Sequence, residues 1–309
     1  MSLPRVLRAL LPFVVTAASF YAISHRVDWL DAFAHIHADT LVVLLPALVG
    51  WAALSLWIDA VSLLRSGPGP ARASFAAMAR LKAATYPLGI LHYALGAGAL
   101  VVLLRRRAGL ALADATGTVM LIAAFDLLAL LLVAAGAGAW VASEGAGLRA
   151  GILLVALVGA PLGLWLLRTP ARLGPLEALR GFGMLRAARD LPTPQLLQLL
   201  GLRLLFVVVF VALGGAALVS FGVRPALGTL VVGFAQVALV AALPIAVAGL
   251  GTSQAAFLYV FRSLAPADEL LACSVALSAG MIAVRVGLGA LFAREFSLPA
   301  VAAEGDAEA

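Results

Sequence analysis

The residues of this sequence whose types could do chemistry are few, and each stands among apolar neighbours. Asp126 lies near the middle of one apolar run, and Arg285 occupies a comparable place in a later one, some nine residues before Arg294. An ionisable group at such depth in hydrocarbon is expensive to hold and is either paired or functional. Two arrangements fit these types: a mutual ion pair, or an arginine whose planar guanidinium holds a phosphate through two parallel hydrogen bonds. A second candidate follows Gly249-Leu250-Gly251, where Thr252 or Ser253 is a suitable N-cap and Gln254 comes next. Free N–H groups and the positive end of a helix starting there suit a phosphate or carboxylate. The alternative is that Gly249 and Gly251 only permit a tight bend. His92 stands beside another break and could hydrogen-bond a loosened carbonyl or titrate in a cavity, with Arg80 and Lys82 upstream of it. Asp59 and Arg203 read as residues near the ends of their spans, where either can snorkel to the interface.

Other chemistries are disfavoured. Cys273 is the single cysteine, so neither a disulfide nor a cysteine-based zinc site forms within one chain. His35 and His37 share a loop without further ligands. Gly249-Leu250-Gly251 follows no strand and is no dinucleotide fingerprint, and Gly251-Thr252-Ser253 lacks the features of a nucleophile elbow. The expectation is therefore no catalytic residue set, no metal and no cofactor.

The elements that position these residues are set by composition. Of 309 residues, 64% are hydrophobic and 12% charged, with a mean hydropathy of +1.10, whereas a soluble domain is roughly half apolar and a quarter charged. Apolar runs near the roughly 20 residues that cross a bilayer recur throughout. Six read as full spans, at about 10–24, 41–64, 113–141, 148–167, 197–219 and 270–292. Two more are broken internally: 75–104 by Pro87, Gly89, Gly96 and Gly98, and 229–261 by Pro244, Gly249 and Gly251. The first run follows Arg5 and Arg8 without a small-residue cleavage site and reads as an uncleaved span.

The net charge of +6 is nearly all arginine, with Lys82 the only lysine. It reads as topology rather than nucleic-acid binding, because short cytoplasmic loops collect Lys and Arg. Arg65, Arg72, Arg80 and Lys82 cluster after the second span, the last two near the start of the first broken segment, and Arg105, Arg106 and Arg107 follow that segment, so a re-entrant hairpin puts both clusters on one side. The expected architecture is an all-α polytopic bundle, six full spans plus two re-entrant broken-helix hairpins, with both termini cytoplasmic in a bacterial inner membrane. Span, span, hairpin, span then occurs twice in opposite orientation, an inverted repeat of the kind that builds transporters around a midplane site. The alternative is eight ordinary spans kinked at Pro87 and Pro244. One membrane domain covers 1–295, with a short acidic cytoplasmic tail at 296–309.

At these residues the sequence resembles the lysylphosphatidylglycerol synthase transmembrane-region family, the flippase-like membrane domain of MprF-type proteins, with YbhN-like stand-alone members. The resemblance rests on His92-Tyr93-Ala94-Leu95-Gly96-Ala97-Gly98, on Arg105-Arg106-Arg107-Ala108-Gly109-Leu110 with Phe125-Asp126 downstream, and on Leu243-Pro244 through Gly249-Leu250-Gly251. The family's second site commonly reads Pro-Gly-Gly-Leu-Gly followed by an acid. Here a glycine and the carboxylate are missing, with Gln254 in the following turn. What the resemblance implies is translocation of an amphipathic or anionic lipid, or a lipid-linked precursor, between leaflets. The soluble aminoacyltransferase domain of synthase members is not seen. The other reading is a non-catalytic membrane scaffold that docks a lipid-modifying or glycosyl-transferring partner through its arginine-rich loop. Membrane lipids are the expected partners in both cases.

Overall fold

A computed structural model describes residues 37–66, 74–138, 154–169, 185–242 and 251–297, together with Tyr21. The expected spans at 10–24 and at the start of 148–167, the breaks at Pro244 and Gly249, and most of the tail lie outside the described residues. Those described are helical, with no strand among them.

Four long helices form the frame: α1 (Ala38–Ser66), α4 (Leu112–Gly138), α7 (Thr193–Ser220) and α10 (Ala267–Leu291). Each is long and apolar enough to cross a membrane. The 29 residues of α1 span about 43 Å, against a hydrocarbon core of roughly 30 Å, so its ends have room to reach the headgroups. Between α1 and α4 lie α2 (Phe75–Leu91) and α3 (Tyr93–Ala108). Two short helices, α5 (Ala160–Arg168), which continues a π-helical turn at Val155–Gly159, and α6 (Arg186–Asp190), precede α7. Between α7 and α10 lie α8 (Leu227–Ala242) and α9 (Thr252–Phe261). A 3₁₀ turn at Ala293–Phe296 follows α10.

The first broken segment turns back on itself. Its break is at His92, not at the proline or glycines. Ser74 caps the start of α2, and His92 ends α2 with its N–H on the Leu88 carbonyl while its Nδ1 accepts from the Ala94 N–H at the start of α3. A side chain at Gly96 would stand 2.5 Å from the Gly89 Cα, although seven residues of continuous helix would separate them by about 10 Å. These two glycines are thus helical and let two arms touch; Gly98 is helical too and faces open space. Pro87 is also helical. It cannot donate to the Ala83 carbonyl, and Gly289 of α10 packs against both the proline ring and that carbonyl.

The second broken segment also doubles back. Gly233 of α8 lies under Phe261 and Val260 of α9, while Val240 and Thr252, near the other ends, border the same groove. Phe210, Phe234, Phe257 and Phe261 make a ring cluster with centroids 4.8–5.8 Å apart. Helices α1 and α7 run antiparallel in contact, since Arg65 meets Gln198 while Asp59 meets Arg203. The remaining pairings come in matched sets. Helix α4 packs on α8 as α10 packs on α2, α4 on α7 as α10 on α1, and α3 on α4 as α9 on α10.

Candidate functional site

A polar cluster sits where α1, α2, α4, α7 and α10 converge. Its centre is Arg203, 1% exposed inside an apolar helix. One guanidinium nitrogen donates to Asp59 Oδ1 at 2.9 Å and to Asp126 Oδ1 at 3.3 Å; the other donates to the Ile58 carbonyl at 3.3 Å and to Ser62 Oγ. The helical repeat puts Trp51, Ser55, Asp59 and Ser62 on one stripe of α1. Ser55 and Ser62 turn their hydroxyls back onto the Ala52 and Ile58 carbonyls, the usual way a short hydroxyl side chain is satisfied within a helix. From α2, Lys82 Nζ lies 3.3 Å from Asp59 Oδ2, and the Tyr86 hydroxyl donates to the same oxygen at 3.4 Å. Asp59 thus faces two cations and a hydroxyl.

Asp126 is the open side of the cluster. Its side chain is 42% exposed, with exposed His92 and Tyr93 at the nearby hairpin turn and Tyr93 within electrostatic reach of its charge. The expected pairing of Asp126 with Arg285 is not what forms: Arg203 takes Asp126. Arg203 and Asp59, which sequence reading assigned to the membrane interface, are the buried heart of the site. The antiparallel register of α1 and α7 brings them to the same depth, and equal depth of opposite charges was the signal available.

Arg285 is placed differently. Its guanidinium lies over the Trp51 ring at 4.8 Å and the Tyr86 ring at 5.4 Å from their centroids. Among the described residues it makes no ion pair, and its Nε is buried without an acceptor. Cation–π contact contributes about 0.5–2 kcal/mol, whereas desolvating an ion costs several kcal/mol. Arg285 is half-buried, and stacking together with the electrostatic reach of Asp59 offsets part of the cost of withdrawing it from water.

Arg80 is outside this cluster. Its Nε lies 3.5 Å from Glu295 Oε1, and Arg107 Nε lies 3.3 Å from Glu295 Oε2. Glu295 is 5% exposed, and it ties the open ends of both hairpin arms to the turn after α10. The turn at Gly251 departs from expectation as well. Gly251, at φ 83°, is the N-cap in place of Thr252 or Ser253. Gln254 reaches back to accept from the Gly251 N–H at 2.6 Å and from Ser253 Oγ at 3.2 Å, and donates to Ser278 Oγ at 3.0 Å. That carboxamide fills the place where an anion would meet the helix end. Among the described residues no cluster of three or more His, Cys, Asp or Glu forms a metal site.

The fold and this buried cluster define an all-helical membrane protein with ionic chemistry inside its bundle. No family model, curated protein or solved structure matches the chain.

Proposed function

We propose that the chain is a membrane transport protein that moves an amphipathic or anionic lipid, or a lipid-linked precursor, between leaflets. The observation that carries this reading is Arg285, a cation held in a span-length apolar helix without a carboxylate, beside the Asp59–Lys82–Arg203–Asp126 cluster whose Asp126 side is open. Intramembrane charge of this sort marks substrate and ion pathways. A polar headgroup would enter beside Asp126 and reach Arg285, while its tails remain in hydrocarbon.

The architecture proposed for this task is the re-entrant one. The arms α2 and α3, of 17 and 16 residues, reach about 25 Å, and both bases meet Glu295. With its turn part-way through the bilayer, the α2–α3 hairpin would present backbone and cap groups near His92 to a protein-lined cavity, the one place such breaks are tolerated. The inverted repeat is supported by a shared displacement of the long helices: α1 and α7 start at 38 and 193, α4 and α10 at 112 and 267, both 155 positions apart, with the starts of the hairpin arms 152 and 159 apart. The antiparallel contact of α1 with α7 and the matched pairings agree with it. Placement in a bacterial inner membrane with both termini inside, and kinship with the lysylphosphatidylglycerol synthase transmembrane-region proteins, belong to the same proposal, as do headgroup contacts at Arg80, Lys82 and His92.

The test is reconstitution into vesicles carrying headgroup-labelled lipid, with translocation read by chemical quenching of the outer leaflet. The protein should accelerate quenching, and Arg285→Gln and Asp126→Asn should each remove most of the acceleration while the protein stays folded. Translocation that never exceeds protein-free vesicles for any charged lipid tried would reject transport and leave the docking scaffold as the reading to pursue.

A further inference from the structure

The transport reading leaves open which headgroup the site takes, and two orphan donors beside each other narrow it. Among the described residues, Trp51 is 3% exposed and its indole Nε1 meets no hydrogen-bond partner, and Arg285, stacked on that same ring, has a buried Nε without one. Buried donors are almost always satisfied, so two unsatisfied ones in contact point to an absent acceptor. The charge balance says what kind. Asp59 and Asp126 offset Arg203 and Lys82, each carboxylate pairing with Arg203 and Asp59 pairing with Lys82 as well. Arg285 is then one positive charge in excess, within electrostatic reach of Asp59 but without an ion pair of its own. In a low-dielectric interior a single excess charge is neutralised by a single opposite one; a dianion would leave a net negative charge buried.

We propose that Arg285 and Trp51 form a binding site for a singly charged oxyanion, the phosphodiester of a membrane lipid whose headgroup carries no compensating cation. The guanidinium supplies charge and paired N–H groups, the indole N–H one further donor, and the Tyr86 ring a second face on which the guanidinium rests. The inference rests on the lipid-transport reading for its source of phosphate. The chemistry itself is shared by a free phosphodiester.

Native mass spectrometry of the full chain, exchanged into micelles doped with one lipid at a time, decides it. Phosphatidylglycerol, a monoanion, should be retained at least tenfold over zwitterionic phosphatidylcholine and over an aminoacylated, net cationic phosphatidylglycerol. Trp51→Phe keeps an aromatic face for the guanidinium but removes the N–H together with the pyrrole part of the indole, and should weaken phosphatidylglycerol by at least about fivefold, the equivalent of one neutral hydrogen bond. Arg285→Lys should weaken it further and Arg285→Gln abolish the preference. Soluble glycerophosphoglycerol, the same phosphodiester without acyl chains, should not displace the lipid; if it competes as well as the lipid binds, the site belongs to a free anion and the lipid assignment is overturned. Equal retention of the three lipids, or wild-type retention in both Trp51→Phe and Arg285→Lys, overturns the site. Should Arg285→Gln not fold, those two milder variants carry the decision. Selective, Trp51-dependent binding without translocation would refute transport but keep the site, whereas translocation with headgroup-indifferent binding would do the reverse.

Discussion

Arg203 is the residue on which the cluster's stability turns, because it faces two carboxylates, one of which, Asp59, is buried away from water. Arg203→Met would strand Asp59 with Lys82 alone and leave Asp126 without its cation, a loss of about 3–5 kcal/mol for breaking a buried pair. The measurement is a melting curve in detergent. The companion double variant Asp59→Asn with Arg203→Met should melt above the sum of the two single effects, because each change removes the charge that the other would isolate. Additive losses would mean that the two side chains do not share an energetic interaction. Asp126→Asn should behave differently. With the carboxylate half exposed and Arg203 keeping Asp59, its effect on stability should stay within about 1 kcal/mol, which makes it a clean probe of translocation. Site legibility was divided along the same line. Asp126 and Arg285 stood out because each lies far from the ends of an apolar run, but their partners did not. Asp59 stands seven residues before the end of α1 at Ser66, and Arg203 ten residues after the start of α7 at Thr193. Distances counted from a span's end place such residues near the interface, and only the register between two distant helices moves them inward.

At the scale of elements, the α2–α3 hairpin depends on backbone approach more than on a flexible break. Glycine at 96 is required by sterics, since a Cβ there would meet Gly89 Cα at 2.5 Å and Gly89 N at 2.8 Å, whereas a Cβ on Gly89 would find its nearest neighbour at 3.9 Å and one on Gly98 nothing within 4 Å. Gly96→Ala should therefore force the arms apart and lower the melting temperature, while Gly89→Ala should be neutral and Gly98→Ala neutral or stabilising by up to about 1 kcal/mol from helix propensity. Equal behaviour of the three would argue against close contact between the arms. Sequence pattern located both broken segments because apolar runs containing Gly and Pro are easily seen. It misplaced the first break, because glycine signals close packing and flexibility alike, and His92 capping a helix with Nδ1 leaves no mark in hydropathy. The same ambiguity put the second N-cap on Thr252 or Ser253, when Gly251 held it and Gln254 supplied the side-chain acceptor.

For the whole molecule, the repeat proposed from the 155-position displacement has unequal halves. Positions equivalent to Asp59 and Asp126 are Gly214 and Met281, so the second half lacks these two carboxylates and instead gathers phenylalanine around Gly214, whose missing side chain makes room for the Phe234 ring. In the proposed repeat, the carboxylates Asp59 and Asp126 come from the first half and the cations Arg203 and Arg285 from the second, so the proposed headgroup pathway would run between the halves beside α2, with the α8–α9 hairpin as an apolar counterpart. An inverted repeat also fixes which ends face which side: equivalent positions must lie on opposite faces of the membrane. Arg65 and Ser220 are such a pair, near the last residues of α1 and α7. In a background where Cys273, the sole and buried cysteine, is changed to Ser, Arg65→Cys should react with a membrane-impermeant maleimide only from the cytoplasmic face and Ser220→Cys only from the other. Arg80→Cys and Arg107→Cys, both now held by Glu295, should label from the same face as position 65. If positions 80 and 107 label from opposite faces, α2 and α3 cross the bilayer in succession, and the re-entrant pathway to Arg285 has no mouth.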